Sequence, residues 1–386
     1  MSPNSNIIVF VFRMDLRVSD QAVFHHLSTV AGHGFTHLLP VYCFPPNQVE
    51  VSGFVSDGTE SPYPEARSSV SRYFRCGPYR AKFLAESVWA LKETLEDLQS
   101  SLLIRVGMAK DVIEHLHGGL KAHNHHIGAV WVASHEGVEE KRDERYLAAF
   151  CEAQGIKFRS WTDEKYFIDD RDLGFESPEE LPDIFTTYRK SAEPLHEKPR
   201  AVLPTPARAS LPPFPDHASI PDQKPPFQIP RTLVELVDVL VKPVKDFLPN
   251  RPPFPDGAQS AHPFLGGEAA AQERVHRFIK SESVAHYKDT RNGLAGTECT
   301  TKLSAYLAQG CVTSRQIHHA LRGYEDGTDE RFKEVDGFWA GENEGTQAIR
   351  FELLWRGGAY ARVGDKAGDG RYGCGRGGDE GDTGRE

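Results

Sequence analysis

The run Ile7-Ile8-Val9-Phe10-Val11-Phe12 contains no polar side chain, and it decides the fold class. A continuous apolar run of this length is typical of a strand that is buried on both faces of a parallel sheet. Ser19 or Asp20 can cap the helix that follows, whose apolar residues lie on one face. The chain therefore opens with a strand and a helix, which together form the repeating unit of an α/β domain.

The same alternation continues to residue 165. Further strands are predicted at 37–44, 102–106, 129–133 and 156–161, and amphipathic helices at 83–98, 111–116 and 138–153. This order predicts a doubly wound α/β domain with a parallel sheet over residues 5–165, and ligands are expected at the carboxyl ends of its strands. The charged stretch Arg13–Arg17 stands where a dinucleotide-binding fold would have a glycine turn, so the sequence does not indicate that kind of site.

Proline and glycine divide the rest of the chain. Of the 26 prolines, 17 fall between Pro194 and Pro263, which indicates a connector over residues 166–261 that is proline-rich from 194. Helical periodicity returns over residues 262–356 and predicts an all-α second domain. Eleven of the 34 glycines fall in residues 357–386, a segment that we expect to form a disordered tail because it lacks apolar periodicity.

The charge and cysteine content bear on two kinds of site, a nucleic-acid surface and a metal site. The net charge of −10 argues against a uniformly basic surface for nucleic acid. Between Arg274 and Arg322, however, eight Lys and Arg stand against three acidic residues, which predicts a local basic patch. A solvated helix face is the default interpretation of such a run. The six cysteines form no CxxC pair, and the spacing of His and Cys indicates no metal site.

The amino-terminal residues contain neither a long apolar run nor an Arg-rich amphipathic presequence. We therefore expect an intracellular protein of the cytoplasm or nucleus, without a membrane-spanning segment. We also expect it to be a monomer.

Four short motifs resemble those of a known family. They are Phe12-Arg13-Met14-Asp15-Leu16-Arg17, Thr290-Arg291-Asn292-Gly293-Leu294, Thr300-Thr301-Lys302-Leu303-Ser304 and Phe351-Glu352-Leu353-Leu354-Trp355-Arg356. In this order they resemble the photolyase/cryptochrome family, and most closely its cryptochrome DASH branch. The resemblance extends from residue 7 to Arg356 and includes the segment 181–186. It implies an antenna-type α/β domain followed by a helical flavin-binding domain.

The segment from Thr300 to Ser304 combines three hydroxyl side chains with a lysine near the start of a helix. Short donors beside one cation suit a pyrophosphate group, although an ordinary capped helix explains the spacing equally well. The family resemblance implies that this segment holds the diphosphate and ribityl part of FAD and that a tyrosine joins it. The residues implied are Tyr287, Thr300, Thr301, Lys302, Leu303 and Ser304.

Glu352, Trp355 and Arg356 lie about one helical turn apart, so their side chains can face one cavity. Such a set can hydrogen-bond a base edge, stack on the base and contact an anion or a flavin. A surface ion pair beside a core tryptophan is the alternative. The resemblance implies that Glu352 hydrogen-bonds a pyrimidine dimer and helps to protonate it. It also implies that Trp355 stacks against the flipped lesion and that Arg356 contacts FAD.

Two further positions are assigned by the resemblance. Arg291 matches a position near the DNA backbone. Glu139, which follows the fourth strand, matches the glutamate that meets a methenyltetrahydrofolate antenna. The helix dipole is an equal explanation for Glu139 and Glu140, because acidic residues are favourable in a first helical turn.

The resemblance leads to three functional hypotheses. The first is a carbon–carbon lyase of the deoxyribodipyrimidine photo-lyase type: folate harvests light, reduced FAD passes one electron to a cyclobutane pyrimidine dimer, preferably in single-stranded DNA, and the ring splits. The second is a blue-light photoreceptor. In the family, the Glu352–Arg356 helix is followed by a long run of further helices, whereas Gly357-Gly358 follows here. The third hypothesis is therefore a C-terminally truncated, flavin-free and inactive isoform that retains only the α/β domain.

Overall fold

The apolar run that opens the chain is the central strand of a five-stranded sheet. The structure is a computed structural model that describes residues 5–56, 58–162, 167–169, 172, 180, 182, 184–245, 264–293 and 298–368, with residues 358–368 described as backbone only. The strands are β1 (Ser5–Phe12), β2 (His37–Phe44), β3 (Leu103–Val106), β4 (His125–Ala133) and β5 (Lys157–Trp161). Their order is β3-β2-β1-β4-β5, and every neighbouring pair is parallel. The predicted doubly wound fold is confirmed.

Helices cover both faces of this sheet, which explains why β1 is apolar throughout. The helices are α1 (Ala22–Thr29), α2 (Pro78–Asp97), α3 (Ala109–Ala122) and α4 (Val138–Ala153). Even-numbered residues of β1 such as Phe10 belong to the core cluster of α1 and α2, whereas odd-numbered residues such as Val9 belong to that of α3 and α4. Because side chains alternate along a strand, burial on both faces requires an unbroken apolar sequence.

The cap of α1 differs from the prediction. Gln21 is the capping residue, and its side-chain oxygen accepts a hydrogen bond from the Val23 amide at 3.2 Å. Asp20 has a φ of 51° and is fully buried, so its carboxylate is directed to other partners. Ser19 instead donates its hydroxyl to Glu268. Both residues predicted as caps therefore form contacts outside α1.

The connector contains two described helices, α5 (Phe185–Ala192) and α6 (Leu233–Val241). The part of the connector around α6 packs on the α/β domain. A capping box of Thr232 and Glu235 starts α6, whose buried residues share a core cluster with α2. The Gln223 side chain hydrogen-bonds both the amide and the carbonyl of Val106 at 3.0 and 3.1 Å. This proline-rich segment thereby attaches to the edge strand β3.

The second half of the chain is helical. It comprises α7 (Glu268–Lys280), α8 (Tyr287–Thr290), α9 (Ser304–Gln309), α10 (Ser314–Glu325) and α11 (Glu344–Gly368). The last helix continues beyond Arg356 into the segment that we expected to be a disordered tail. Alanines at 359 and 361 favour helix and offset the two glycines that follow Arg356. The remaining expectation of disorder falls on residues 369–386, which lie outside the described residues.

A buried ion pair joins α10 and α11. The Arg350 guanidinium donates to both carboxylate oxygens of Glu325, and neither side chain is exposed to solvent. Arg350 Nε also donates to Nδ1 of His318 at 3.1 Å. Burial, together with the nearby guanidinium, lowers the pKa of His318 to about 3. This histidine is therefore neutral at physiological pH.

The loop after β1 joins the two halves of the chain. The Asp20 carboxylate accepts hydrogen bonds from the Leu203 amide at 2.9 Å, from the Thr313 hydroxyl at 2.6 Å and from Arg315. The Leu16 amide donates to the carbonyl of Gln309 at 3.0 Å. The motif that begins the family resemblance and the Asp20 that follows it thus contribute to the contact between the α/β domain and the helical domain. Within the described ranges, no helix has both the length and the hydrophobicity needed to span a membrane.

Candidate functional site

An open cleft with a volume of about 390 Å³ is lined by residues of α8, α9, α10 and α11. Most of the residues predicted for the cofactor and the substrate line this one cleft: Tyr287, Thr301, Leu303, Ser304, Glu352, Trp355 and Arg356. Buried apolar side chains such as Ile317 and Leu353 complete its wall. The cleft therefore combines hydroxyl groups, one carboxylate, one guanidinium and an apolar surface.

The helices α9 and α11 bring these residues together. The helix α9 starts at Ser304, so the predicted phosphate-binding segment ends at the start of a helix, as its spacing indicates. The side chains of Glu352, Trp355 and Arg356 all face the cleft from α11. Arg356 Nη2 also donates to the carbonyl of Leu307 at 3.0 Å, which links α11 to α9.

Thr300 and Lys302 belong to the same loop but are outside the cleft lining among the described residues. The loop backbone is held from beneath by Arg274, whose Nε donates to the Thr301 carbonyl at 2.8 Å. Its Nη2 donates to the Thr300 carbonyl at 3.1 Å. Lys302 has a φ of 55°, in the left-handed region that non-glycine residues seldom adopt. The loop is therefore a specifically held turn rather than a continuation of α9.

Glu352 and Arg291, which were assigned to a lesion and to the DNA backbone, form an ion pair with each other. Both side chains are exposed to solvent, at 48% and 40% respectively. Burial raises the pKa of Tyr287, and the nearby Glu352 carboxylate raises it further, whereas the Arg291 guanidinium opposes this shift. Tyr287 therefore stays protonated and can act as a hydrogen-bond donor at neutral pH.

Trp355 is 55% exposed, so its ring offers a flat surface in the cleft. The edge-to-face contact of this ring with Phe185 has a centroid distance of 4.2 Å. Phe185 begins α5 and belongs to the segment 181–186 that we assigned to the family resemblance without a role. Within that segment, residues 181 and 183 lie outside the described residues.

The predicted basic patch is smaller than the sequence suggested. Arg274 and Arg315 are buried and form ion pairs with Glu298 and Asp20. Their charges are therefore compensated inside the protein. Lys288 and Arg291 remain half-exposed beside the cleft, each paired with a glutamate.

A second cavity, with a volume of about 70 Å³, lies at the carboxyl ends of β1 and β2. Its polar lining includes Arg13, Gln48, Glu140, Asp143 and Glu144, and its walls are mostly apolar. Burial raises the pKa of Asp143, whose Oδ1 is buried without a hydrogen-bond partner among the described residues. This is the edge of the sheet at which the fold class predicts a ligand.

Glu139 does not line that cavity. Its carboxylate forms two hydrogen bonds with the Arg75 guanidinium, at 2.9 and 2.8 Å, on the protein surface. Glu140 lines the cavity instead and accepts a hydrogen bond from Gln48 at 3.0 Å. Both glutamates lie in the first turn of α4, where the helix dipole favours them.

Sequence reasoning missed several residues of these sites. Glu140, Asp143, Glu144 and Leu147 recur at helical spacing on α4, so a period of 3.6 was the available signal for the cavity lining. Nothing local indicated that Arg274 holds the Thr300–Ser304 loop or that Phe185 contacts Trp355. Among the residues described by the structure, no group of three His, Cys, Asp or Glu side chains could hold a metal ion.

Comparison with known proteins gives one consistent family. Residues 8–209 match the family model for DNA photolyase. The chain is 56% identical to the mitochondrial cryptochrome DASH homologue of Neurospora crassa over 357 residues, which cover 92% of this chain and 48% of the relative. It is 31% identical to the cryptochrome DASH of Xenopus laevis, over 91% of this chain and 56% of that protein. The chain thus spans about half the length of the curated relatives that it matches.

The fold comparison agrees with the sequence comparison. A cryptochrome of Synechocystis superposes with a TM-score of 0.69 and 25% identity, over 95% of this chain and 63% of that structure. A bacterial class III photolyase of Agrobacterium tumefaciens superposes with a TM-score of 0.61 and 19% identity, over 95% of this chain and 60% of its own length. Both shared regions include the α/β sheet and the helical domain, since together they cover nearly the whole chain.

Proposed function

Because the chain belongs to the DNA photolyase family, we propose that it is a blue-light flavoprotein of the cryptochrome DASH type. It would act as a photoreceptor, as a light-driven lyase for cyclobutane pyrimidine dimers in single-stranded DNA, or as both. The observation that carries this proposal is the convergence of seven predicted cofactor and substrate residues on one cleft. The chain covers only about half the length of these relatives, so their activities are part of the proposal and not a finding.

FAD fits the chemistry of the cleft lining. Thr301 and Ser304 offer hydroxyl groups to a diphosphate and ribityl chain, and Arg356 offers a guanidinium. Apolar residues such as Leu353 and Ile349 offer a surface for a flat ring. When bound, FAD would supply light-driven one-electron chemistry, which no protein side chain provides.

The remaining residues would bind the substrate. Trp355 would stack on an unpaired pyrimidine, since its ring is largely exposed and lines the cleft. Glu352 would accept a hydrogen bond from the base edge or hold a proton for it at a carboxylate oxygen. Arg291 would contact a backbone phosphate, which requires that it leave its ion pair with Glu352.

The absorption spectrum of the purified chain tests the proposal. A flavin band, present at once or after FAD is added, is expected. In the flavin-loaded protein, Glu352→Ala should keep this band and lose dimer repair, whereas Glu344→Ala, at the exposed start of the same helix, should keep both. If no flavin binds, the light-driven function is wrong for this chain, and the flavin-free isoform that retains only the α/β domain is favoured.

We also propose an antenna in the second cavity, with methenyltetrahydrofolate as the candidate. Glu140 and the carboxyl of Asp143, whose pKa burial raises, would hydrogen-bond a heterocycle there, whereas the resemblance points to Glu139 on the surface. Folate binding to Glu139→Gln and Glu140→Gln variants separates the two positions. A larger loss of the folate absorption band in Glu140→Gln supports the cavity, and a larger loss in Glu139→Gln supports the surface position.

Compartment and oligomeric state complete the proposal. We keep an intracellular monomer of the cytoplasm or nucleus as the starting hypothesis. The Neurospora crassa relative is named as mitochondrial, which favours including mitochondria in the test. Imaging of a fluorescent fusion protein with a mitochondrial marker decides the compartment, and light scattering of the purified chain measures the mass.

A further inference from the structure

Arg274 is a buried arginine that contacts the Thr300–Ser304 loop, and its guanidinium is not exposed to solvent. Its side chain is 1% exposed, and its Nη1 donates to both carboxylate oxygens of Glu298 at 2.8 and 2.9 Å. The guanidinium also lies near the rings of Phe264 and Phe278, at 5.1 and 5.6 Å from their centroids. A cation that is so enclosed and neutralised does not itself bind a cofactor phosphate.

The effect of Arg274 is on the direction of the loop backbone. The guanidinium donates hydrogen bonds to two successive carbonyls, those of Thr300 and Thr301. In a planar trans peptide the C=O and the following N–H point in opposite directions. The amides of Thr301 and Lys302 therefore point away from Arg274, because their peptide carbonyls point toward it.

The backbone changes from the left-handed to the right-handed helical region between Lys302 and Leu303. Lys302 has a φ of 55°, and Leu303 follows with φ −93° and ψ −5°. A left-handed residue followed by a right-handed one brings successive N–H groups into a small concavity that suits an anion. Thr301, Leu303 and Ser304 line the cleft at this point.

We infer that Arg274 is a positioning residue, which shapes the loop from Thr300 to Ser304 into a binding site for a diphosphate group. The inference rests on the proposed function, because that function supplies FAD as the diphosphate ligand. Arginine is required here, since its planar fork donates to two carbonyls and a carboxylate at once, whereas lysine has a single nitrogen. The hydrogen-bond donors of the site are the backbone amides of the loop, and Arg274 fixes their direction.

The test compares ligands with and without a diphosphate. Arg274→Lys should lower the affinity of the chain for FAD and for ADP by about tenfold to a hundredfold. Its affinity for riboflavin, which lacks the diphosphate, should stay within about twofold of the unmodified chain. Arg277→Gln, which removes an exposed charge from the same helix, should change none of these affinities. Equal loss for all three ligands, or unchanged affinity for FAD and ADP, would overturn the inference.

A second variant covers the case in which Arg274→Lys does not fold. Glu298 is only partly buried, so Glu298→Gln should weaken its ion pair with Arg274 without unfolding the chain. The affinity for FAD and for ADP should then fall by less than in Arg274→Lys, and the affinity for riboflavin should not change. Hydrogen exchange of the loop amides should slow when ADP or inorganic pyrophosphate is added to the unmodified chain. Binding of ADP without FAD would contradict the proposed function and leave the inference supported. A chain that binds neither ADP nor pyrophosphate would contradict the inference itself.

Discussion

The Arg291 guanidinium donates a hydrogen bond to the Glu352 carboxylate, which lines the cleft between α8, α9, α10 and α11. The two residues were assigned separately from the sequence, one to a DNA phosphate and one to a damaged base. Their pairing links these roles, because a phosphate that attracts Arg291 also frees the carboxylate of Glu352. We therefore expect DNA binding and exposure of Glu352 to be coupled.

The variant Arg291→Ala tests whether this arginine contributes to DNA binding. Exposed ion pairs contribute little stability, so the free energy of unfolding should change by less than about 1 kcal/mol. The affinity for single-stranded DNA should fall, and the slope of log affinity against log salt should decrease by about one. Fluorescence anisotropy of a labelled oligonucleotide gives both values. Lys333→Ala, the same charge change at another exposed site, is the control and should leave the affinity unchanged.

Tyr287 reports the charge of the same pair. Its pKa is raised by burial and by the Glu352 carboxylate and is lowered by Arg291. Glu352→Gln should therefore lower the pKa of Tyr287, and Arg291→Ala should raise it. Alkaline titration of tyrosinate absorbance, taken as the difference from a Tyr287→Phe background, isolates this residue. A shift in the same direction for both variants would contradict the arrangement.

The lowered pKa of His318 leads us to expect a loss of folding stability in acid. Its folded pKa of about 3 lies below the ordinary value of 6.5, so the folded state favours the neutral imidazole. The contribution of this residue is fully present above pH 6.5 and is lost as pH falls toward 3, by about 1.4 kcal/mol per pH unit within that window. Urea unfolding across this range should show a weaker pH dependence in His318→Gln. An unchanged dependence would show that other groups cause the acid unfolding.

Asp20 predicts a large effect at the contact between the domains. Asp20→Ala leaves the buried Arg315 guanidinium without its carboxylate, which should destabilise the fold by about 3–5 kcal/mol. Glu65→Ala breaks the exposed pair with Arg67 and should cost less than about 1 kcal/mol. Thermal unfolding of the two variants provides the comparison. Similar melting temperatures would mean that the Asp20 network does not stabilise the domain contact.

The sequence predicts those parts of the fold that depend on local pattern. The bounds of β2 and α4 agree with the prediction at every residue, because burial and periodicity along one segment determine them. The cap of α1 was assigned to Ser19 or Asp20 because both are common caps, but distant partners engage both side chains. Local propensity does not include such competition between partners.

In the candidate site, too, local pattern predicts some features and contacts between distant residues determine the others. The faces of Glu352, Trp355 and Arg356 follow from helical spacing, so their common cleft was predictable. The contacts of Arg274 with Thr301 and of Phe185 with Trp355 depend on packing between elements that are distant in the chain. No periodicity within either element contains that information.

The six-residue helix α9 separates the two cavities. Ser304, at its start, lines the cleft between α8, α9, α10 and α11. Gln309, at its end, lines the second cavity, at the carboxyl ends of β1 and β2. At a rise of 1.5 Å per residue, these two positions are about 7.5 Å apart along the helix axis. Chromophores bound on either side would lie within range of dipole–dipole transfer of excitation energy, and the short length of α9 would set how efficiently light absorbed by one reaches the other.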